Sequence, residues 1–283
     1  MKNFIPYCIL LSIVLIISSC ENDTNNQKKS TNIEAYQLVW SDEFDTNGLP
    51  DSTKWSYDYG IGCPNCGWGN NELQFYTKDR LENARVEDGH LIIEAHKENF
   101  EKSQYTSARI VTKEKGDWLY GKLEIRAKLP DGRGTWPAIW MLSTDWEYGG
   151  WPESGEIDIM EHVGYAQDTV NGTIHTKSYN HIIGTQKAGI IDVNVSDEFH
   201  TYGLEWTEKS MIWTIDDKPY FEFENENKTF NEWPFDKRFH LILNLAVGGN
   251  WGGKYGVDES VFPRQMVVDY VRVYQKTVAE ATK

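Results

Sequence analysis

Cysteine, positive charge and long apolar runs are all scarce in this 283-residue sequence, and each shortage removes a class of function. Of four cysteines, Cys8 and Cys20 lie near the N-terminus, which leaves only Cys63-Pro64-Asn65-Cys66 in the body of the chain. A C-x-x-C pair suits half a zinc site, a redox motif or a short disulfide. No second cysteine pair or His-x-His cluster completes a zinc site, and no βαβ pattern surrounds the pair. A Cys63–Cys66 disulfide that pins a glycine-rich loop is therefore favoured, and redox catalysis is not. Lysine and arginine number 28 against 43 acidic residues, a formal net charge of −15. Such a chain repels nucleic acid and anionic lipid, and its charge argues against a strongly sulfated polysaccharide as ligand. Helical periodicity is also missing, apart from a short turn near Phe230 to Phe235. Neither an internal repeat nor a linker divides the chain.

The one apolar run extends from Phe4 to Ile17 behind Lys2, broken only by Pro6, Tyr7, Cys8 and Ser12. It is short for a bilayer span and reads as an export signal over residues 1–19. Its end, Ile17-Ser18-Ser19-Cys20, resembles the bacterial lipobox. That resemblance implies acylation of Cys20 and a firm lipid anchor in the bacterial cell envelope, the sole contact with membrane. Removing residues 1–19 takes away only Lys2 among charged residues and leaves the rest at −16. Residues 20–35 are polar, lack an apolar period and read as a flexible tether. Residues 36–277 are left as one domain, a length that all-β folds reach as a single unit.

Within that domain the dominant pattern has a period of two. From Tyr120 to Leu129 it alternates cleanly, with Leu123, Ile125, Ala127 and Leu129 on one face. His90 to Ala95, Ser107 to Thr112, Phe239 to Ala246 and Met266 to Tyr274 read as further strands. Met211 to Ile215 and Lys218 to Phe221 form a hairpin around Asp216-Asp217. About a dozen strands separated by Gly, Asn and Asp turns predict two packed antiparallel sheets, a β-sandwich. The 12 Trp, 15 Tyr and 11 Phe supply core, and flat rings of the same kind also stack on sugars.

The chemistry concentrates in Gly155-Glu156-Ile157-Asp158-Ile159-Met160-Glu161-His162. On a strand, Glu156 and Asp158 share one face while Ile157 and Ile159 point into the core. Strict alternation would bury Glu161, an expensive place for an unpaired carboxylate. A β-bulge at Ile159-Met160 adds the one residue that returns Glu161 to the face of the other acids. Three acids on one face repel one another, and the coupling raises at least one pKa. A glycosidase needs that division, one ionised carboxylate and one that keeps its proton. Four strand positions span roughly 13 Å, which a bulge and leaning side chains shorten toward the ~5–5.5 Å of retaining enzymes. A solvated acidic face and a cation site are the alternatives to this reading.

Glu156-Ile157-Asp158-Ile159-Met160-Glu161 resembles the E-x-D-x-x-E signature of glycoside hydrolase family 16, on its laminarinase side. Val39 to Phe44, Gly67 to Gln74, Trp136 to Met141 and Val268 to Tyr274 fit the same family in the same order. The resemblance implies a concanavalin-like jelly roll, a β-sandwich of two antiparallel sheets with a concave substrate cleft. It implies retaining hydrolysis, with Glu156 as nucleophile, Glu161 as acid and then base, and Asp158 between them. For the cleft it implies Asn70, Arg109, Trp136, Trp140, Trp151, His175 and Trp251. No cofactor is expected for catalysis. A structural calcium ion is implied at Glu43, the Gly89 carbonyl and Asp269, where hard oxygen ligands suit it.

The expected function is thus endo-hydrolysis of internal β-1,3 links in laminarin-type β-glucan, extending to mixed-linkage glucan, by a monomer. Two rivals accompany it: the same chemistry on a marine galactan of the agar or porphyran type, and a surface lipoprotein that binds glycans without cutting them. Trapping of the glycosyl-enzyme by sugar, which is transglycosylation, is a third.

Overall fold

The computed structural model describes residues 34–278, so the signal segment, Cys20 and most of the tether lie outside the described residues. Alternation builds the sandwich. In Gly121–Lys128 every second side chain, including Leu123, Ile125 and Ala127, is buried, while Lys122, Glu124 and Arg126 are half-exposed.

Ten strands form the outer sheet. Its order runs Lys218–Glu224, Ser210–Ile215, His200–Trp206, Gly121–Lys128, Arg264–Val278, His90–Phe100, Ser103–Ser107, Gln74–Tyr76. Glu34–Asp42 pairs with Arg264–Val278, and Ala84–Glu87 with His90–Phe100. Eight strands form the other sheet, in the order Lys187–Asp192, Thr169–His175, Glu156–Glu161, Thr135–Ser143, Phe239–Val247, Arg109–Val111, Ser56–Asp58, with Asp117–Trp118 beside Phe239–Val247. All pairings are antiparallel except that of Gln74–Tyr76 with Ser103–Ser107. The jelly-roll reading holds.

One expected strand is two. Ser107 to Thr112 divides at the buried Ala108, with Ser103–Ser107 in the outer sheet and Arg109–Val111 in the second. The crossing is what brings Arg109 to the functional face. The short turn expected near Phe230 is present at residues 230–232, closed by the Glu232 and Trp233 amides on the Thr229 carbonyl. Among the described residues the only helical element is the 3-10 turn Glu259–Val261.

The two inner faces share one core, in which Ile157, Ile159, Met160, Leu241, Leu243 and Leu245 join Leu123, Ile125, Leu204, Trp213 and Val271. The opposite face of the eight-stranded sheet bears the cavity described next. Phe239–Val247 shows the division within one strand: Leu241, Leu243 and Leu245 belong to the core, and Asn244 and Ala246 line the cavity.

Candidate active site

The predicted bulge exists and lies where the carboxylates require it. Asp158 pairs with Thr173 and Glu161 with Asn171, so Ile159 and Met160 together oppose Gly172 alone. Ile157, Ile159 and Met160 are all buried in the core, while Glu156, Asp158 and Glu161 all line the cavity. Two features from neighbouring strands support the distortion. A bulge leaves backbone groups without ladder partners. Here Trp213, fully buried on the outer sheet, donates its indole N–H to the Asp158 carbonyl at 2.8 Å. The room for that ring comes from Gly172, where a Cβ would stand 2.6 Å from Trp213 Cδ1 and 2.7 Å from the Tyr220 hydroxyl.

Register across the sheet sets each acid in a row. Glu161 pairs with Ala138 on one side and Asn171 on the other. Beyond them the same row continues through Asn244, Arg109 and Asp58, and in the other direction to Ile190. Asp158 lies between Trp140 and Thr173, and Glu156 between Leu142 and His175. A ligand laid across the strands therefore crosses small side chains, Ala138, Thr173, Ala188 and Ala246, with the acids in the floor. The cavity encloses about 460 Å³.

Burial governs the charges. It pushes Glu156 up to about 8, with the charge of Asp158 adding to the shift and His175 and the Trp151 indole opposing it. Burial likewise pushes Asp158 up to about 7, while its hydrogen bond with Glu156 acts the other way. Glu161 is raised well above the ordinary carboxylate range, first by burial and then by Asp158. Asp158 is 2% exposed, and its Oδ2 has no well-aligned hydrogen bond among the described residues. His175 Nε2 lies 3.4 Å from that oxygen and 3.9 Å from Glu156 Oε1. The cluster cannot carry three negative charges at neutral pH, so its members divide into ionised and protonated forms.

The remaining expected residues gather round these acids. Trp136 donates its indole N–H to Glu161 Oε1 at 3.1 Å and meets Trp251 edge-on, ring centroids 5.6 Å apart. Trp140 donates to Asn244 Oδ1 at 2.7 Å, and Asn244 in turn donates to the Tyr76 hydroxyl. Arg109 lies between the Trp68 and Trp140 rings, at 4.7 and 4.6 Å, with Asp58 2.8 Å from its Nε. Asn70 lines the same arm. Trp151, half-exposed, packs against His175 and His181, at 5.9 and 5.2 Å, and its indole stands beside Glu156. Cys63 and Cys66 form a disulfide, S–S 1.94 Å, in the loop that carries Trp68 and Asn70.

Sequence reasoning missed Trp68, Glu72, Tyr76, Asn171, Thr173, His181 and Asn244, all of which line the cavity. A signal existed for Asn244, the one amide in the apolar run Leu241 to Val247. Asn171 and Thr173 share a face with His175 by period two.

The expected calcium ligands do not form a free anionic set. Both Glu43 oxygens accept from Arg272, at 2.9 and 2.7 Å, and Asp269 Oδ2 accepts from Arg126 at 2.5 Å. Gly89 is in a turn at φ 77°. Each carboxylate is thus balanced by an arginine, which a dication would have to displace. The cluster of possible ligands found among the described residues is instead Glu156, Asp158 and His175, the acids of the cleft and their histidine.

A glycosidic bond is cleaved by two carboxyl groups held in different protonation states on one open face, and Glu156 and Glu161 share such a face with Asp158 between them in sequence. Residues 71–272 match the family model for glycosyl hydrolases family 16. The chain belongs to glycosyl hydrolase family 16. A beta-glucanase of Rhodothermus marinus is 54% identical over 274 residues, 94% of this chain and 93% of that protein. The X-ray structure of the laminarinase from Rhodothermus marinus superposes with a TM-score of 0.84 at 56% identity, covering 87% of this chain and 99% of that one. A glucan endo-1,3-beta-glucosidase of Cryptopygus antarcticus is 44% identical over 243 residues, 80% of this chain and 86% of that protein.

Proposed function

We propose that this family 16 hydrolase cuts internal β-1,3 links of laminarin-type β-glucan with retention of configuration. The observation that carries the reading is the bulged strand that turns Glu156, Asp158 and Glu161 into one cavity. Glu161 holds its proton and gives it to the glycosidic oxygen as the Glu156 carboxylate attacks the anomeric carbon. The leaving sugar departs as an alcohol, and a glycosyl ester remains on Glu156. Esterification removes the Glu156 charge, one of the contributions that holds the Glu161 pKa high. Glu161 then takes a proton from water, which attacks the same carbon and frees Glu156. Asp158 favours the protonated form of Glu161 before attack. The small-residue floor extends to both sides of the acids, from Arg109 to Ile190, which suits a chain cut internally.

Of the galactan rivals, sulfated porphyran is disfavoured because Arg109 is the only lysine or arginine among the described residues lining the cavity; agarose, which is uncharged, is separated from glucan by assay. Reducing-end assay on laminarin, lichenan and agarose should give the largest rate on laminarin. Glu156→Gln and Glu161→Gln should each lower it by at least about a hundredfold. Activity close to wild type in either variant removes the mechanism, fastest turnover on agarose shifts the substrate, and binding of laminarin without products supports a lectin.

We further propose a monomer, lipid-anchored through Cys20 in the cell envelope. Palmitate labelling lost in Cys20→Ala tests the anchor. A structural calcium ion at Glu43, Gly89 and Asp269 remains a proposal resting on family resemblance, and it needs Arg272 and Arg126 to swing away. Such an ion raises Tm when calcium replaces EDTA. A Tm indifferent to both leaves the arginine pairs as the whole of that site.

A further inference from the structure

The acids do not use Glu72, yet its carboxylate lines the cavity. It stands where two loops meet. Glu72 forms an isolated bridge with Gly248, at the start of the loop that carries Trp251, and lies two residues beyond Asn70 on the disulfide-bearing loop. Its Oε2 accepts from Gln74 Nε2 at 2.7 Å and from the Tyr76 hydroxyl at 3.4 Å. Gln74 is itself fixed, since its Oε1 accepts the Val247 amide at 2.8 Å. Oε1 of Glu72 has only a long contact, 3.4 Å from Asn70 Nδ2. One oxygen is thus anchored and the other left with acceptor capacity in the cavity wall.

The surroundings define what that oxygen can take. Trp68, Asn70, Tyr76 and Arg109 line the cavity with it, offering ring faces, an amide and a guanidinium. Arg109 is already committed to Asp58 and held between two tryptophans. Among the described residues lining this arm no other lysine or arginine is present to meet an anionic substituent. Gly248 adjoins the strand Phe239–Val247, which is two strands from the acid strand, roughly 10 Å at the usual strand spacing.

We propose that this junction is a sugar subsite remote from the scissile bond, in which Glu72 accepts hydroxyl hydrogen bonds from an unsubstituted glucosyl ring and excludes sulfated rings. This deepens the β-glucanase reading and rests on it. Burial raises the Glu72 pKa, while the hydrogen bond from Gln74, the Arg109 charge and the hydrogen bonds from Asn70 and Tyr76 favour the ionised carboxylate. In that form it accepts from a hydroxyl more strongly than a neutral acceptor does, and a sulfate beside it meets like charge in a poorly screened wall.

The test compares wild type with Glu72→Gln on β-1,3-gluco-oligosaccharides of increasing length, with sulfated laminarin as competitor. Glu72→Gln should raise KM roughly tenfold on the longest oligosaccharides and leave kcat within about twofold. On the shortest oligosaccharide that is cut, KM should stay close to wild type, because that substrate does not reach the arm. Sulfated laminarin should inhibit the variant more strongly than wild type. An equal loss at every length, as from a general disturbance of the fold, overturns the proposal, and so does an unchanged KM at every length. Wild type inactive on the whole series overturns the β-glucanase reading instead. Circular dichroism melting of Glu72→Gln identifies a folding defect, and Glu72→Asp, which keeps the charge, should then recover exclusion of sulfated laminarin. Failure of that recovery also counts against the proposal.

Discussion

At the scale of single residues, the decisive quantity is the cost of placing three carboxylates in one buried cluster. Glu156 and Asp158 have folded-state pKa values near 8 and 7, above ordinary carboxylates, chiefly because burial disfavours their charge. The folded protein thus keeps protons that the unfolded chain has already lost. Stability is fully present below the ordinary carboxylate range and falls as pH rises through about 7 to 8. Asp158→Asn removes one charge from the cluster. Its Tm at pH 8 should exceed wild type by roughly 2–4 °C, about 1 kcal/mol for a domain of this size, in thermal melts. The same variant should move the alkaline limb of the kcat/KM profile to lower pH, because the Asp158 charge is a cause of the raised Glu161 pKa. An alkaline limb that stays in place or moves upward contradicts that assignment. Charge patterning made the acids visible in the sequence; their depth of burial was not, since it depends on strands far along the chain.

At the scale of elements, the bulge is the inventive part of the strand. Its position follows from sequence because alternation fails at one place, Met160, and only an extra residue keeps Glu161 out of the core. What secures it was invisible in the local pattern: Trp213 comes from the other sheet, and Gly172 yields the space for its ring. Gly172→Ala would set a methyl 2.6 Å from Trp213 Cδ1. Overpacking of this kind costs about 1–3 kcal/mol, so Tm should fall by several degrees in calorimetry. Activity per folded molecule should fall as well, as the bulge that aims Glu161 relaxes. An alanine variant as stable and active as wild type would show that the bulge does not depend on that contact. The split of Ser107 to Thr112 between the sheets was illegible for a similar reason. Both halves carry strand-forming residues, and Tyr105, Thr106, Ser107 and Ala108 are all buried alike, so no break in the pattern marks the crossing.

For the whole molecule, the sandwich was legible because period-two alternation persists from one end of the described chain to the other. Sheet order was not, since strands distant in sequence are neighbours: Glu34–Asp42 lies against Arg264–Val278, and Arg109–Val111 against Phe239–Val247. That order creates the row from Asp58 through Arg109, Asn244, Ala138 and Glu161 to Asn171 and Ile190. Asn244 and Asn171 carry a signal in their own strands, but only this row brings the two into one cavity with Glu161. The central claim is that the fold presents Glu156 as a nucleophile to a glucan lying across these strands. Incubation with a 2-fluoro-laminaribiosyl fluoride, followed by peptide mass spectrometry, tests it most directly. Fragmentation of the labelled peptide should place the label on Glu156 itself, and Glu156→Gln should carry none; a label on Glu161, or turnover with inversion and no label, would contradict the account.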